Sequence, residues 1–229
     1  TLFLMGSEYK NSPDFLFEKD SILIPENAGA KTGFAWGGTP VLAYDSDMGL
    51  RYGAVVNLFD YSDGSNYPDY VQYARIRLYN STKGTSNYSL LYDSEKVLPG
   101  SHLTFESSYI KDIAFDFYGF NGIQSVYSAD FINPEQTSYI NKFFYKYHRK
   151  LMRFRLDLQT YLGSKNFRLY NGITFNRFRI NDIDYSRFNI PEGRNGSSFS
   201  NTTLYRKYAD WGVFPEEEKS GGNLLTINT

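Results

Sequence analysis

A chain of 229 residues with 24 Lys and Arg against 25 Asp and Glu carries a formal net charge of −1, so no global field selects a polyanionic or polycationic partner. It has no cysteine, which excludes a disulfide framework, a thiol nucleophile and any Cys-based metal site. No run of about 18 apolar residues occurs, which excludes a transmembrane helix. Its 21 Tyr and 19 Phe fit either the core of a β-protein or the aromatic girdles of a membrane barrel.

In chain order, residues 1–33 read as an irregular lead-in, with Asn11-Ser-Pro-Asp14 and Pro25-Glu-Asn-Ala-Gly29 as turn chemistry. Thr1-Leu-Phe-Leu-Met-Gly6 is too short and uncharged for an intact signal peptide, so in an exported protein the signal is expected to have been removed. From Phe34 the texture changes to closely spaced strands. Thr39–Asp45 is a first strand, closed by Asp45-Ser-Asp-Met-Gly49, and Leu50–Asp60 follows. After Asp60-Tyr-Ser-Asp-Gly-Ser-Asn66 comes Tyr70–Thr82, with Arg75 and Arg77 on one face and Ala74, Ile76 and Leu78 on the other. Tyr88–Glu95 is next, and Pro99-Gly100 supplies a sharp turn.

In the following strand Leu103, Phe105 and Tyr109 alternate with His102, Thr104, Glu106 and Ser108. Residues 112–138 read as a long loop. Tyr139–Arg149 and a strand over 151–162 are expected to flank a minimal turn, and Gly163-Ser-Lys-Asn166 leads into Phe167–Ile180. The stretch Met152–Leu162 carries the most information. Met152, Phe154, Leu156, Leu158, Thr160 and Leu162 alternate with Arg153, Arg155, Asp157, Gln159 and Tyr161, a period of two that makes a β-strand with one largely apolar and one polar face. Strands of globular proteins average about 5–6 residues, whereas a tilted membrane-spanning strand needs roughly 9–11.

These strands alternate short turns with longer loops, the asymmetry by which outer-membrane barrels keep one rim short and elaborate the other. In residues 182–222, Thr202–Trp211 places Leu204, Tyr205, Tyr208 and Trp211 at the spacing of a short amphipathic helix, and a connector follows. Asn223–Thr229 reads as a strand cut short. The fold class expected is therefore all-β: a transmembrane antiparallel barrel with about eight strands over residues 34–229. An open sheet in a bilayer would leave backbone groups unpaired in hydrocarbon, so either these strands close on themselves or the barrel continues beyond Thr229.

Several segments carry a resemblance. Pro40-Val-Leu-Ala-Tyr-Asp-Ser-Asp-Met-Gly-Leu-Arg-Tyr-Gly53 is similar to the opening hairpin of the BamA-like bacterial surface-antigen superfamily. Asn57–Pro68, Leu91–Gly100, Asp116-Phe-Tyr-Gly-Phe-Asn-Gly122 and the Tyr205–Gly222 connector resemble an envelope branch of it. The resemblance implies a sixteen-stranded outer-membrane barrel, usually preceded by soluble periplasmic repeats, that inserts or translocates client proteins with the help of accessory envelope proteins. Neither those repeats nor the barrel's second half, with its inward-folded Arg-Gly-Phe-like loop, has a counterpart here. Residues 34–229 are thus expected to be a first half-barrel in the bacterial outer membrane.

That reading makes specific assignments. Arg153, Arg155, Asp157, Gln159, Glu106 and His102 are expected to face a lumen, because an Arg on lipid at mid-depth costs about 2–4 kcal/mol. Phe154, Leu156, Leu158, Leu103 and Phe105 are expected to face lipid. Thr39, Pro40, Val41, Leu42, Ala43, Tyr44 and Asp45 form a candidate lateral seam, since Pro lacks a ladder donor and the preceding Gly37-Gly38 weakens pairing.

Enzyme templates fare poorly. Only His102 and His148 occur, neither at zinc-site spacing, and no nucleophile elbow, Walker loop or dinucleotide fingerprint is present, so no catalytic, metal or cofactor site is expected. Asp45/Asp47 and Asp60/Asp63 read as turn caps, their spacing not being that of an EF-hand. Residues 142–187 hold eleven Lys or Arg against three Asp or Glu, but these cations alternate with apolar residues in strands, which speaks against nucleic acid. The sequons at Asn80, Asn87, Asn195 and Asn201 are chance matches in an Asn- and Ser-rich chain. Two other functions stay open: a passive or plugged outer-membrane pore, and a soluble β-sandwich that binds glycans through exposed aromatics.

Overall fold

A computed structural model of the chain describes residues 29–120, 126–188 and 200–229. Most of the lead-in, Asn121-Gly122 of the aromatic loop motif, and residues 189–199 with the Asn195 sequon lie outside the described residues. Eight strands follow in order: β1 Phe34–Asp45, β2 Gly49–Asp60, β3 Gln72–Ser81, β4 Ser86–Ser94, β5 Ser101–Asp116, β6 Lys146–Leu162, β7 Ser164–Asn181 and β8 Asn223–Asn228. Among the described residues one short α-helix, α1, spans Leu204–Asp210. The strands pair antiparallel, each with its neighbour in sequence, as one eight-stranded sheet. The sheet is open: β1 and β8 are its edges, and no ladder joins them. No described helix is long and apolar enough to cross a membrane.

The turns follow from local chemistry. Asp45 Oδ1 accepts from the amides of Asp47 and Met48, both at 2.8 Å, and Asp60 Oδ1 accepts from Ser62 N at 2.8 Å, so both carboxylates cap turns. Gly163 takes a φ of +69°, which lets β6 reverse into β7 through one residue. Only that glycine turns; Ser164–Asn166 already belong to β7, where a longer turn is expected from sequence.

Three further boundaries correct the sequence reading. Tyr139–Arg149 is not a strand ended by a turn. Residues 139–141 are irregular and 142–145 form a turn, and Lys146 opens β6, which runs unbroken to Leu162. Arg149-Lys150-Leu151 contains no turn residue, and Arg149 and Leu151 continue the ladder opposite Asp112 and Ile110. β5 persists to Asp116 through an irregularity between Asp112 and Phe115, so the long connection starts at residue 117. β1 starts five residues before Thr39, at Phe34, so Pro40 lies mid-strand opposite Ala54 and not at a strand start. An edge strand tolerates this proline because its outer side has no ladder to complete.

The connections 46–48, 82–85, 117–145 and 182–222 emerge at one end of the sheet, the cap end; 61–71, 95–100 and Gly163 turn at the other, the hairpin end. Both long connections therefore share the cap end with the two tight turns. Their packing makes the buried apolar cluster of Ile113, Ala114, Phe143, Ile183 and Phe188, flanked by Met48 and Tyr185. Fully buried Asn141 ties the two long connections together, its Nδ2 donating to Ser200 O at 2.7 Å and Thr202 O at 2.8 Å.

Candidate functional site

Paired residues of an antiparallel sheet share a face, so the register sorts every strand side chain into one of two sets. One set is apolar. It comprises Phe34, Trp36, Leu42 and Tyr44 of β1, Tyr52 and Leu58 of β2, Ile76 and Leu78 of β3, and Tyr88 and Leu90 of β4. It continues with Leu103 and Phe105 of β5, Met152, Phe154, Leu156 and Leu158 of β6, Ile173 and Phe175 of β7, and Leu225 and Ile227 of β8. Most of these are exposed: Phe34 keeps 85% of its surface, Trp36 78%, Phe154 41% and Leu156 43%. No second sheet lies over them among the described residues.

The opposite set is polar and cross-linked. His102, Thr104, Glu106 and Ser108 stand opposite Gln159, Asp157, Arg155 and Arg153. Asp157 is buried and accepts Arg155 Nε at 2.6 Å and Tyr170 OH at 2.8 Å. Gly172, its partner on β7, makes the room; a Cβ there would stand 2.5 Å from Asp157 Oδ1. Arg153 Nε donates to Asn176 Oδ1 at 2.9 Å, and Arg149 pairs with Asp112 at 2.8 Å. Towards the hairpin end Asp93 gathers His102 Nε2 and Thr104 Oγ1, each at 2.6 Å, and Tyr70 OH at 2.9 Å, while His102 Nδ1 faces Glu95 at 3.3 Å. Asp93, His102, Asp112, Arg149, Arg153, Arg155 and Asp157 thus each meet a hydrogen-bond partner, as partly desolvated charges require, whereas the buried Arg51 Nε on the same face has none among the described residues.

The β1 part of this face differs. Ala35, Gly37, Thr39, Val41 and Ala43 are small and share it with Arg51, Gly53, Val55, Asn57 and Phe59 of β2. Gly53 is required there, because a Cβ would fall 2.1 Å from Leu78 O and 2.6 Å from Tyr79 Cα. The seam residues Thr39 to Asp45 hold to the sheet through β2 alone.

At the cap end α1 sits against the polar face. Phe117 is the hub, with ring centroids 5.3 Å from Tyr205, 5.6 Å from Tyr208 and 6.0 Å from Tyr147. Tyr205 also stacks on Tyr147 at 5.0 Å and on Phe214 at 4.9 Å. The helix starts where Thr203 Oγ1 accepts from Arg206 N at 3.2 Å. Burial, with lesser contributions from Tyr147 and Glu218, pushes the Tyr205 hydroxyl up to about 12, and burial does the same to Tyr185. Hydrogen bonds from Ser186 and Arg187 hold the Asp184 carboxyl below its usual value.

Sequence reasoning missed one feature. Strand cations were expected to turn away from the apolar side chains, yet Lys111, Lys150, Arg177 and Arg179 fall on the apolar face, near the cap end. Parity alone could have placed them, since Lys150 is two residues from Met152, and Arg177 and Arg179 are two and four from Phe175. Among the described residues no group of three His, Asp or Glu side chains converges as a metal site.

The arrangement defines a single-layer all-β protein with one exposed apolar face and one hydrogen-bonded ionic face. No family model, curated protein or solved structure matches the chain.

Proposed function

We propose that residues 34–229 form part of a bacterial outer-membrane β-barrel that inserts or translocates client outer-membrane or surface proteins, with β1 as a lateral seam. The carrying observation is the exposed apolar face that crosses all eight strands opposite a hydrogen-bonded ionic face. In water an apolar patch larger than a few hundred Å² demands a cover. Acyl chains supply one, and an enclosed aqueous lumen suits Arg153, Arg155, Asp157, Gln159, Glu106 and His102. Inverting the sheet would place those charges in hydrocarbon.

A bilayer then requires both edges to be paired, by each other, by further strands or by a partner, because each unpaired backbone group in hydrocarbon costs several kcal/mol. β1 is the edge suited to exchange. Gly37 and Gly38 pack little, Pro40 lacks an N–H, and among the described residues the strand is braced by no ion pair except through the turn at Asp47. A client strand would add to β1 by main-chain hydrogen bonds, the strand-addition mode of recognition. This is the activity that the BamA-like resemblance implies; it involves no covalent chemistry.

A plugged pore is the second reading, favoured by the stacking of Tyr205 on Tyr147, which lays α1 against the polar face. Three measurements separate these readings. The protein should need detergent or lipid to stay monodisperse; solubility as a monomer without either would overturn the membrane reading. Cysteines placed along Thr39–Asp45 should crosslink to a client strand during assembly, and their silence would overturn the seam. Steady ion conductance in liposomes would favour the pore.

A further inference from the structure

The row of cations on the apolar face has no partner in the sheet. Lys111 of β5 stands directly opposite Lys150 of β6, and Lys150 directly opposite Arg179 of β7. Arg177 follows along β7, opposite Met152. Like charges opposed across strands destabilise a sheet. On the polar face comparable cations are neutralised, Arg149 by Asp112 and Arg155 by Asp157. Among the described residues none of Lys111, Lys150, Arg177 and Arg179 makes an ion pair.

Beside the row lies a cavity of about 60 Å³, lined by Lys111, Ile113, His148, Asp184, Arg187 and Phe188. His148 Nε2 is buried there and has no hydrogen-bond partner among the described residues. Asp184, the one carboxylate, is engaged by Arg187 Nε at 2.7 Å and by Ser186 Oγ at 2.5 Å. Lys83 adds a further cation, its ammonium 5.6 Å from the Phe188 ring. Immediately towards the hairpin end the same face exposes Met152, Phe154, Leu156, Ile173 and Phe175.

We infer that Lys111, Lys150, Arg177 and Arg179, with the His148–Arg187 cavity, bind the phosphomonoester headgroup of an anionic membrane lipid whose acyl chains lie on the adjoining apolar band. A phosphomonoester carries more than one negative charge near neutral pH and offers three acceptor oxygens, which matches several unpaired donors. A zwitterionic headgroup brings its own ammonium and matches them poorly. Apolar side chains directly below the cations select a lipid over a free anion. The bound lipid would also relieve the repulsion between Lys111, Lys150 and Arg179, so it would brace β5, β6 and β7 at the cap end. This inference rests on the membrane reading above.

The test uses the detergent-solubilised protein, nanodiscs of phosphatidylcholine with and without phosphatidic acid, and inorganic phosphate as a separate probe. Wild type should bind phosphatidic acid in clear preference to phosphatidylcholine. Lys150→Gln and Arg179→Gln should each weaken that binding about fivefold, the weight of one cation near an anionic surface. Lys96→Gln, at the hairpin end, should change nothing. Insertion that proceeds normally without lipid preference, or preference untouched by Lys150→Gln and Arg179→Gln, overturns the lipid site and leaves the barrel standing. Binding of inorganic phosphate as tight as that of phosphatidic acid also overturns it, by showing that the acyl chains contribute nothing. Failure to enter nanodiscs of either composition overturns the membrane reading itself.

Discussion

The two halves of the sheet are held in different ways. β1 to β4 are strands of 9 to 12 residues joined by two tight turns and the 61–71 loop, and β1 presents small side chains on the polar face. β5 to β7 run 16 to 18 residues, carry the Arg149–Asp112 and Arg155–Asp157 pairs, and are clasped at the cap end by the two long connections. Side-chain networks and a buried cluster stabilise the second half, whereas β1 depends on the backbone ladder to β2. The seam proposed for β1 would thus lie where little besides main-chain hydrogen bonds holds the edge.

The comparison can be broken first in the clasp. Phe143 keeps only 1% of its surface, and Phe143→Ala should cost about 3–5 kcal/mol of stability in denaturant titrations, through a cavity among Ile113, Ile183 and Phe188. A loss below about 1 kcal/mol would show that the clasp is not a folding unit. Gly53→Ala should come next, at about 3 kcal/mol, because the added Cβ meets Leu78 and Tyr79 backbone that cannot yield. Its damage should be confined to the β1–β3 half in hydrogen exchange.

Asp157→Ala should cost about 2 kcal/mol, less than a fully buried pair, because the Arg155 side chain keeps 44% of its exposure and can rehydrate. Alkali should loosen the cap before the sheet. The folded state raises the Tyr205 and Tyr185 hydroxyls from 10 to about 12, so their contribution is complete below pH 10 and is lost as the pH climbs through 12. Near-ultraviolet circular dichroism should therefore fade in that window while the far-ultraviolet strand signal persists; simultaneous loss would contradict the separation. Trp36→Ala, on the exposed β1, should change stability by less than about 0.5 kcal/mol.

Alternation over Met152–Leu162 already parts two side-chain sets, because the period of a strand is a covalent property of the extended chain. Turns at Gly49, Gly100 and Gly163 are equally local, each glycine taking a positive φ. Other boundaries were not local. Arg149-Lys150-Leu151 looks like a break between two runs, and only its partners, Asp112, Lys111 and Ile110, make it the middle of one strand. Pro40 suggests a strand start, yet pairing with β2 carries β1 back to Phe34. The cation row was hidden for the same reason: Lys111 is 39 residues before Lys150, and register alone sets them opposite.

Residue order alone thus established an all-β chain with two-sided strands, the glycine turns and the absence of Cys chemistry, since each depends on neighbours within a few bonds. Which strands stand at the edges, where Asp157 finds Arg155 and Tyr170, how Asn141 joins two distant connections, and which cations crowd together were settled by folding in three dimensions. Those features depend on registers and close contacts between segments far apart in the chain, and no local propensity encodes such distances.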